Sequence, residues 1–300
     1  MRTAIPYLFI SILIFFNFRT NAQHSNVFSN YLLNTAAINC ASIGKDEALD
    51  LNLYGRNQWA SMSGNPVTYN FTANSMLRTP ALNVGLMVQT DMIGSTTTQN
   101  FIGMYAYRIK FRKARLAFGL QSGVEVINYN LNKLKKVDEA DNVVSNNQTR
   151  TINYKTGAGV YLHSTTFFAG FSVPYLFNSS ALNYSQTPAY LLGGLILKAG
   201  KNDLIKPSVL VRKINGSPLT FDVSCSYYFL SKIGIGASYR YNTAIIGLAE
   251  FIISEQFKIA YCYDYATTTI SNYQSGSHEI SLRALFGKKY KTHNPRALLY

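Results

Sequence analysis

The histidines and cysteines of this chain lie far apart, and their spacing is typical of neither a metal site nor a catalytic dyad. The four histidines are His24, His163, His278 and His293, and the three cysteines are Cys40, Cys225 and Cys262. Metal sites need such residues at short, defined spacings. No serine lies in a G-x-S-x-G context, the mark of one large class of hydrolases. We therefore predict a non-enzymatic protein with no cofactor and no metal, and the pairing of the cysteines stays open.

Ionisable residues at alternate positions of apolar segments are the better candidates for a site. They are Asp50, Arg56, Asp91, Arg108, Glu125, Arg240, Glu250, Asp264, Glu279 and Arg283. Alternate side chains of a strand share one face, so a barrel would turn these charges into its lumen, where opposite signs should pair. The candidate lumen network is Arg56, Arg240, Asp264, Glu279 and Arg283. A structural ladder is one interpretation, and a polar conduit or partner-binding surface is the other.

The elements that must carry these residues are strands with one apolar and one polar face. Around Phe221 and Val223, for example, the intervening positions are Asp222 and Ser224. This period of two is typical of strands. Fourteen such segments follow one another: 48–56, 67–77, 82–91, 100–110, 115–127, 151–162, 167–173, 190–198, 206–213, 219–229, 233–241, 245–252, 257–265 and 278–286. Many approach the ~9–11 residues of a membrane-crossing strand. We predict an all-β, antiparallel outer-membrane barrel of about 14 strands.

The predicted connections sort by length, which favours a membrane barrel over a secreted sandwich. Short ones include 78–81, 111–114, 163–166 and 230–232. Long ones include 57–66, 92–99, 128–150, 174–189 and 266–277. Short periplasmic turns and longer extracellular loops are the expected asymmetry of outer-membrane barrels. Trp59, in the first long connection, is predicted to anchor at the membrane interface.

The composition agrees with a lipid-facing protein. Charged residues make up 14% of the chain, below the ~25% that is usual in soluble domains. The 22 tyrosines and 18 phenylalanines suit aromatic girdles at the membrane interfaces. The net charge of +14 is not gathered into a nucleic-acid-binding motif, so we expect no nucleic acid partner. Attraction to anionic lipid head groups or to an acidic partner protein is the favoured interpretation.

The ends of the chain predict export. Residues 1–22 have a basic start, an apolar run and small residues before Gln23, which is typical of a secretory signal cleaved near Ala22. Residues 23–47 show no sustained period and are predicted to be a periplasmic N-terminal segment at the barrel mouth. Residues 48–286 would form the barrel, and 287–300 a basic periplasmic tail. The tail is either solvated or docks on a periplasmic partner.

The mature chain resembles the PorP/SprF family of outer-membrane proteins from the type IX secretion system of Bacteroidota. The matching stretches occur in the same order along nearly the whole chain. They are Tyr54-Gly55-Arg56-Asn57-Gln58-Trp59, Gly64-Asn65-Pro66, Val84-Gly85-Leu86, Tyr105-Ala106-Tyr107-Arg108, Lys206-Pro207-Ser208, Gly236-Ala237-Ser238-Tyr239-Arg240, Tyr263-Asp264-Tyr265 and Ser275-Gly276-Ser277-His278-Glu279-Ile280.

The resemblance implies a multi-pass barrel of the cell outer membrane that supports secretion or surface attachment of large adhesin-type cargo, including adhesins of gliding motility. Its implied partners are that cargo, other type IX secretion or periplasmic envelope proteins, and outer-membrane lipid. A general diffusion porin is the alternative that the strand pattern alone would equally suit. A secreted β-sandwich adhesin is a third, and it would bury the apolar stripes between two sheets.

Overall fold

The computed structural model describes residues 28–130, 148–178, 187–215 and 217–287, in which fourteen antiparallel strands close into one barrel. Each strand pairs with its neighbours in sequence, and the last strand pairs with the first, from Leu49 opposite Phe286 to Asn57 opposite His278. The strands are β1 Leu49–Asn57, β2 Val67–Met76, β3 Leu82–Ile93, β4 Thr96–Lys110, β5 Arg115–Asn130, β6 Gln148–His163, β7 Phe167–Asn178, β8 Pro188–Leu195 (continued after Ile196 by Leu197–Lys198), β9 Leu204–Ile214, β10 Thr220–Phe229, β11 Ile233–Arg240, β12 Ala244–Ile252, β13 Phe257–Ala266 and β14 Ser277–Phe286.

The strands present apolar side chains outside and polar side chains inside. In β1, Leu49 and Leu53 are exposed on the outer face, whereas Asp50, Asn52 and Arg56 are buried on the inner face. A band of exposed leucines, tyrosines and phenylalanines is stable against lipid rather than water. The predicted transmembrane-type barrel, with its apolar stripes turned outward, is confirmed.

The connections at the two ends of the barrel differ in length. The tight-turn end consists of residues 77–81, 111–114, 164–166, 199–203, 230–232 and 253–256, each three to five residues long. The loop end holds the other connections, whose fully described members are 58–66, 94–95, 241–243 and 267–276. The last of these contains a 3₁₀ turn at Thr269–Tyr273. Most connections therefore sort by length as predicted, but 94–95 and 241–243 are short connections at the loop end.

The predicted long loop at 92–99 is wrong. Strands β3 and β4 pair up to Ile93 opposite Thr96, so only Gly94 and Ser95 lie between them. Gly94 has a φ of +56°, a conformation that a two-residue hairpin turn requires and glycine adopts without strain. The β-branched threonines that follow favour a continued strand over a loop.

Two further predicted loops are shorter than the sequence indicated. Strand β5 continues to Asn130 and β6 begins at Gln148, so the ordered ladder extends into the predicted loop 128–150. The rest of that loop lies outside the described residues. Strand β7 continues through Pro174 to Asn178, inside the predicted loop 174–189. Proline is tolerated there because the register shifts between Thr156 and Ala158 of β6, which leaves an irregularity in the ladder.

Residues 28–47 lie inside the barrel. The prediction for residues 23–47 was a periplasmic segment at the barrel mouth. The segment contains two 3₁₀ turns, Thr35–Ala37 and Cys40–Ser42, and in this part of the chain no helix is long and apolar enough to cross a membrane. Tyr31, Ile38 and Ile43 are among the most buried side chains of the protein. The difference has a physical reason: the lumen is lined by polar groups, and this aperiodic, mostly uncharged segment supplies matching hydrogen-bond partners.

Candidate functional site in the barrel lumen

Five buried ionisable residues form a continuous chain near the loop end, here called the loop-end cluster: Asp222, Arg240, Asp264, Arg56 and Glu279. Arg56 bridges two carboxylates, with N–O distances of 2.7 Å to Asp264 and 3.0 Å to Glu279. Arg240 bridges Asp222 at 2.8 Å and Asp264 at 3.3 Å. Neighbouring strands β10, β11, β13, β14 and β1 deliver these side chains because all five residues occupy inward positions. Buried charges of opposite sign are tolerated when they pair in this way.

The cluster has three carboxylates and two guanidinium groups, and the N-terminal segment supplies the donors that the extra carboxylate needs. The main-chain N–H groups of Ser29 and Asn30 donate to Glu279 at 2.9 and 2.7 Å. The Ser29 hydroxyl donates to Asp264 at 2.7 Å and accepts from Arg56 at 2.8 Å. Tyr54 donates a further hydrogen bond to Glu279 at 3.0 Å. Hydrogen bonds to charged groups are the stronger ones, so the cluster holds the segment firmly.

The next contacts of the segment lie on β9, β10 and β12. The Asn30 side chain donates to Glu250 at 3.1 Å, and Glu250 also accepts from Tyr228 at 2.9 Å and pairs with Lys258. The Tyr31 hydroxyl lies 3.0 Å from the Ser208 hydroxyl. Each of these wall residues is inward-facing and buried. The segment therefore replaces water as the partner of the wall in this part of the lumen.

The middle of the segment packs against small residues of the wall. A Cβ at Gly119 would lie 2.4 Å from the Ala41 nitrogen, and a Cβ at Gly159 would lie 2.3 Å from the Asn39 side-chain oxygen. Only glycine permits this approach. Asn39 donates to the Val160 carbonyl at 3.0 Å. Cys40 is buried at the same level, and burial raises the pKa of its thiol to about 12.

A second group of contacts, the turn-end cluster, anchors the segment near the tight-turn end: Asp46, Asp50, Asn74, Arg108 and Arg283. Arg283 donates to both oxygens of Asp50 at 3.0 Å and pairs with Asp46. Arg108 donates to the Ile43 and Gly44 carbonyls, both at 2.8 Å, and the Gly44 N–H donates to Asn74 at 2.8 Å. Burial opposes ionisation of Asp46, but Arg283 and Lys45 outweigh it and hold the pKa of Asp46 below its usual range.

Two cavities that border the segment are both small. A cavity bordered by Phe28, Tyr190 and Arg240 has a volume of about 10 Å³, and one bordered by Thr35, His163 and Lys206 has about 20 Å³. Each corresponds to roughly one water molecule. Among the described residues no three His, Cys, Asp or Glu side chains are grouped to hold a metal ion. The arrangement is therefore a packed, charge-matched interior.

Of the six candidate site residues, which are the five network residues and Trp59, the structure brings four together and places two elsewhere. Arg56, Arg240, Asp264 and Glu279 share the loop-end cluster. Arg283 belongs to the turn-end cluster at the opposite end of the lumen. Trp59 lies in the connection 58–66, with a φ of +54°. Its main-chain N–H donates a hydrogen bond to the Ser277 hydroxyl at 3.0 Å. Its predicted role at the membrane interface stays a prediction.

Sequence reasoning missed the residues that complete both clusters. Asp222 alternates with apolar neighbours, so its inward position was readable, but its pairing with Arg240 depends on the β10–β11 register. Ser29, Asn30 and Asp46 carry no periodic signal because the segment is neither strand nor helix. In the described part of the chain the three cysteines are free, with Cys40 and Cys262 buried and Cys225 exposed.

An antiparallel barrel with an apolar outer face, a polar inner face and strands joined only to their sequence neighbours is an outer-membrane-type β-barrel. Solved structures share this fold. The toluene transporter TbuX of Ralstonia pickettii has a TM-score of 0.51 at 10% identity, with 84% of this chain and 93% of that chain covered. The monoaromatic hydrocarbon channel CymD has a TM-score of 0.51 at 12% identity, with 87% and 94% covered. At such identities the likeness concerns the fold alone.

The family follows from the sequence match. The model of the type IX secretion system membrane protein PorP/SprF matches residues 20–284, nearly the whole chain. The protein therefore belongs to the PorP/SprF family of type IX secretion system membrane proteins, as the resemblance predicted. The curated proteins compared with the chain include no match. Family and fold together assign the barrel to the outer membrane.

Proposed function

We propose that this protein is a non-enzymatic outer-membrane barrel that supports the secretion or surface attachment of large adhesin-type cargo, including adhesins used in gliding motility, through protein–protein contacts. The observation that carries the proposal is a barrel of a secretion family whose lumen is filled by its own residues 28–47. A filled lumen leaves the outer surfaces, especially the loop end, as the place where a folded or large partner binds. No step of bond chemistry is part of this function.

The loop end offers the surface that such contacts need. The connections 58–66 and 267–276 lie side by side there: the Ala60 N–H donates to the Gly276 carbonyl at 2.8 Å, and the Ser275 N–H donates to the Ala60 carbonyl at 2.8 Å. Tyr273 is exposed on this surface. Two joined connections of this length make a fixed platform, and exposed tyrosine is a residue enriched in protein interfaces.

In the proposed orientation the chain is exported by a signal at 1–22 and cleaved near Ala22. The tight-turn end then faces the periplasm, the loop end faces the exterior, and the basic residues 287–300 lie in the periplasm beside other envelope proteins. The asymmetry of the connections supports this orientation. Residues 1–22 and 288–300 lie outside the described part of the chain.

A general diffusion porin is the second candidate, because the lumen wall is lined by serines, asparagines and charged residues. The filled lumen argues against it, since cavities of about 10 and 20 Å³ admit single waters rather than solutes. For a porin to form, residues 28–47 would have to leave the lumen and lose their hydrogen bonds to the loop-end cluster and their contacts in the turn-end cluster. We therefore favour the protein-contact function.

The test is a gene replacement read out at the cell surface. Deletion of the gene should abolish surface display of an adhesin-type cargo while uptake of small solutes stays unchanged. A variant in which 267–276 is replaced by a Gly/Ser linker should fold, as judged by heat-modifiable gel migration, and should still fail to display the cargo. The matched control replaces 77–81 at the opposite end and should display it. Normal surface display of the cargo after deletion of the gene, together with impaired uptake of small solutes, would contradict the proposal and favour the porin.

A further inference from the structure

Among the described residues, the two ends of the barrel differ sharply in charge. Seven basic residues are exposed at the tight-turn end, in four of its six connections or at the strand ends beside them: Arg78, Lys110, Arg112, Lys113, Lys198, Lys201 and Lys232. The six connections of this end hold two acidic residues, Asp203 and Glu255. Asp203 accepts hydrogen bonds from Tyr227 and from the Leu230 N–H. We call the seven the basic ring.

In the part of the chain that the structure describes, the loop end has no comparable feature. Its described connections, 58–66, 94–95, 215, 217–219, 241–243 and 267–276, contain no Asp, Glu, Lys or Arg. The nearest exposed cations are strand residues, Arg150 and Lys213, and Lys213 donates to the Ser217 carbonyl at 2.7 Å. The excess of positive charge in the described barrel is therefore displayed at one end.

The basic ring lies directly beside the band of exposed apolar side chains on the outer face of the barrel. Exposed apolar side chains occur in the connections of the tight-turn end or right beside them: Leu77, Phe111, Leu197, Leu230 and Ile253. This order, with an apolar band below and a row of flexible cations above, matches the order of acyl chains and phosphate head groups in a leaflet. Long basic side chains at such a boundary reach the head-group layer while their stems stay on apolar surface.

We propose that the basic ring binds the phosphate head groups of anionic phospholipids in the leaflet at the tight-turn end, and so fixes the depth of the barrel there. The ring is spread over the connections β2–β3, β4–β5, β8–β9 and β10–β11, around much of the circumference. A membrane surrounds the barrel on all sides, whereas an acidic protein would meet one patch. The ring therefore fits lipid better than a protein partner.

The inference goes beyond the proposed secretion function, because it concerns a surface that no cargo at the loop end touches. It also predicts a dependence on ionic strength, since exposed charges are screened by salt over about 10 Å at 0.1 M. Phosphatidylglycerol should bind more tightly at low salt than at high salt. Phosphatidylcholine, whose head group is zwitterionic, should bind weakly at both.

The experiment compares lipid binding by the full mature barrel in detergent, using native mass spectrometry and thermal unfolding. The ring variant carries Arg78→Gln, Arg112→Gln, Lys113→Gln and Lys232→Gln. The matched control carries Arg150→Gln and Lys213→Gln, exposed cations of the loop-end half. Heat-modifiable migration verifies that each variant is folded. The ring variant should bind phosphatidylglycerol at least tenfold more weakly than the wild type, and the control should match the wild type.

Several outcomes would overturn the proposal. One is unchanged phosphatidylglycerol affinity in the folded ring variant. Another is loss of lipopolysaccharide binding alone, which would assign the ring to the other leaflet. A third is loss of an acidic envelope protein from pull-downs with lipid affinity unchanged, which would make the ring a protein interface. None of these readouts involves cargo display, so failure here leaves the proposed function separately testable.

Discussion

The Asn30 N–H donates a hydrogen bond of 2.7 Å to the carboxylate of Glu279, although the two residues are 249 positions apart. Glu279 lies on the last strand and also pairs at 3.0 Å with Arg56 of the first strand. One carboxylate therefore joins the N-terminal segment to the seam at which the barrel closes. We infer that the segment enters the lumen and the seam closes in one cooperative event, because the segment supplies N–H donors that the Glu279 carboxylate at the seam accepts.

Replacing this carboxylate should weaken the whole barrel. Glu279→Gln keeps the shape of the side chain, but its amide group would face donors from Ser29, Arg56 and Tyr54. Removing one partner of a buried ion pair costs about 3 kcal/mol, and Arg56 would keep only Asp264, at 2.7 Å. We expect that loss in the free energy of unfolding, measured by urea titration of the protein in lipid vesicles. The control Glu255→Gln, in the connection 253–256, should change stability by under about 1 kcal/mol. Equal effects of the two changes would contradict a joining role for Glu279.

A substitution at Gly44 tests the packing of residues 28–47 without changing any residue of the barrel wall. The φ of Gly44 is +65°, and an added Cβ would lie 2.0 Å from the Asn83 side-chain oxygen. Gly44→Ala should therefore destabilise the protein by roughly 1–3 kcal/mol, the usual range for backbone strain. Gly247→Ala is the matched control, because no atom lies within 4 Å of its added Cβ. A neutral Gly44→Ala in the same urea titration would mean that the segment does not pack as described.

The sequence predicted what a period of two can encode, and no more. It predicted which residues of β1 and β13 face inward, because alternation alone decides the face of Arg56 or Asp264. It could not predict that Asp264 is shared by Arg56 and Arg240, since that depends on the registers across several strands. Residues 28–47 gave no pattern because their structure is set by the wall around them. The two-residue turn at Gly94 and Ser95 was missed because strand residues flank it in a stretch that reads as polar.

Arginine substitutions at two membrane depths test whether the outward face of the barrel contacts lipid. Leu53 lies at the middle of β1 and is 52% exposed, and Leu77 lies at the tight-turn end and is 46% exposed. Arginine on the lipid face costs about 2–4 kcal/mol at the bilayer midplane and about 0–1 kcal/mol near the interface. Leu53→Arg should therefore destabilise the barrel in vesicles far more than Leu77→Arg. Similar losses from both would argue that the stripe does not face lipid.

The reactivity of the Cys40 thiol tests whether residues 28–47 occupy the lumen. Cys40 is buried beside the wall, and its raised pKa, about 12, keeps the thiol neutral near pH 7.5. Because the thiolate is the reactive form, a protein that retains only Cys40, with Cys225→Ser and Cys262→Ala, should label with a water-soluble maleimide only after denaturation. As the control, a protein whose single cysteine is introduced by Tyr273→Cys, in the connection 267–276 where Tyr273 is exposed, should label without denaturation. Rapid labelling of native Cys40 would show that the lumen is accessible to water.

Single-channel recording in planar bilayers tests the filled lumen most directly. The wild-type barrel should insert without steady ion conductance, because residues 28–47 occupy the lumen from the loop-end cluster to the turn-end cluster. A variant that lacks 28–43 and keeps Asp46 and Glu47 should show a steady conductance through the polar interior. Heat-modifiable gel migration verifies that this variant is folded. Steady conductance from the wild-type protein would contradict the filled lumen and favour a diffusion pore.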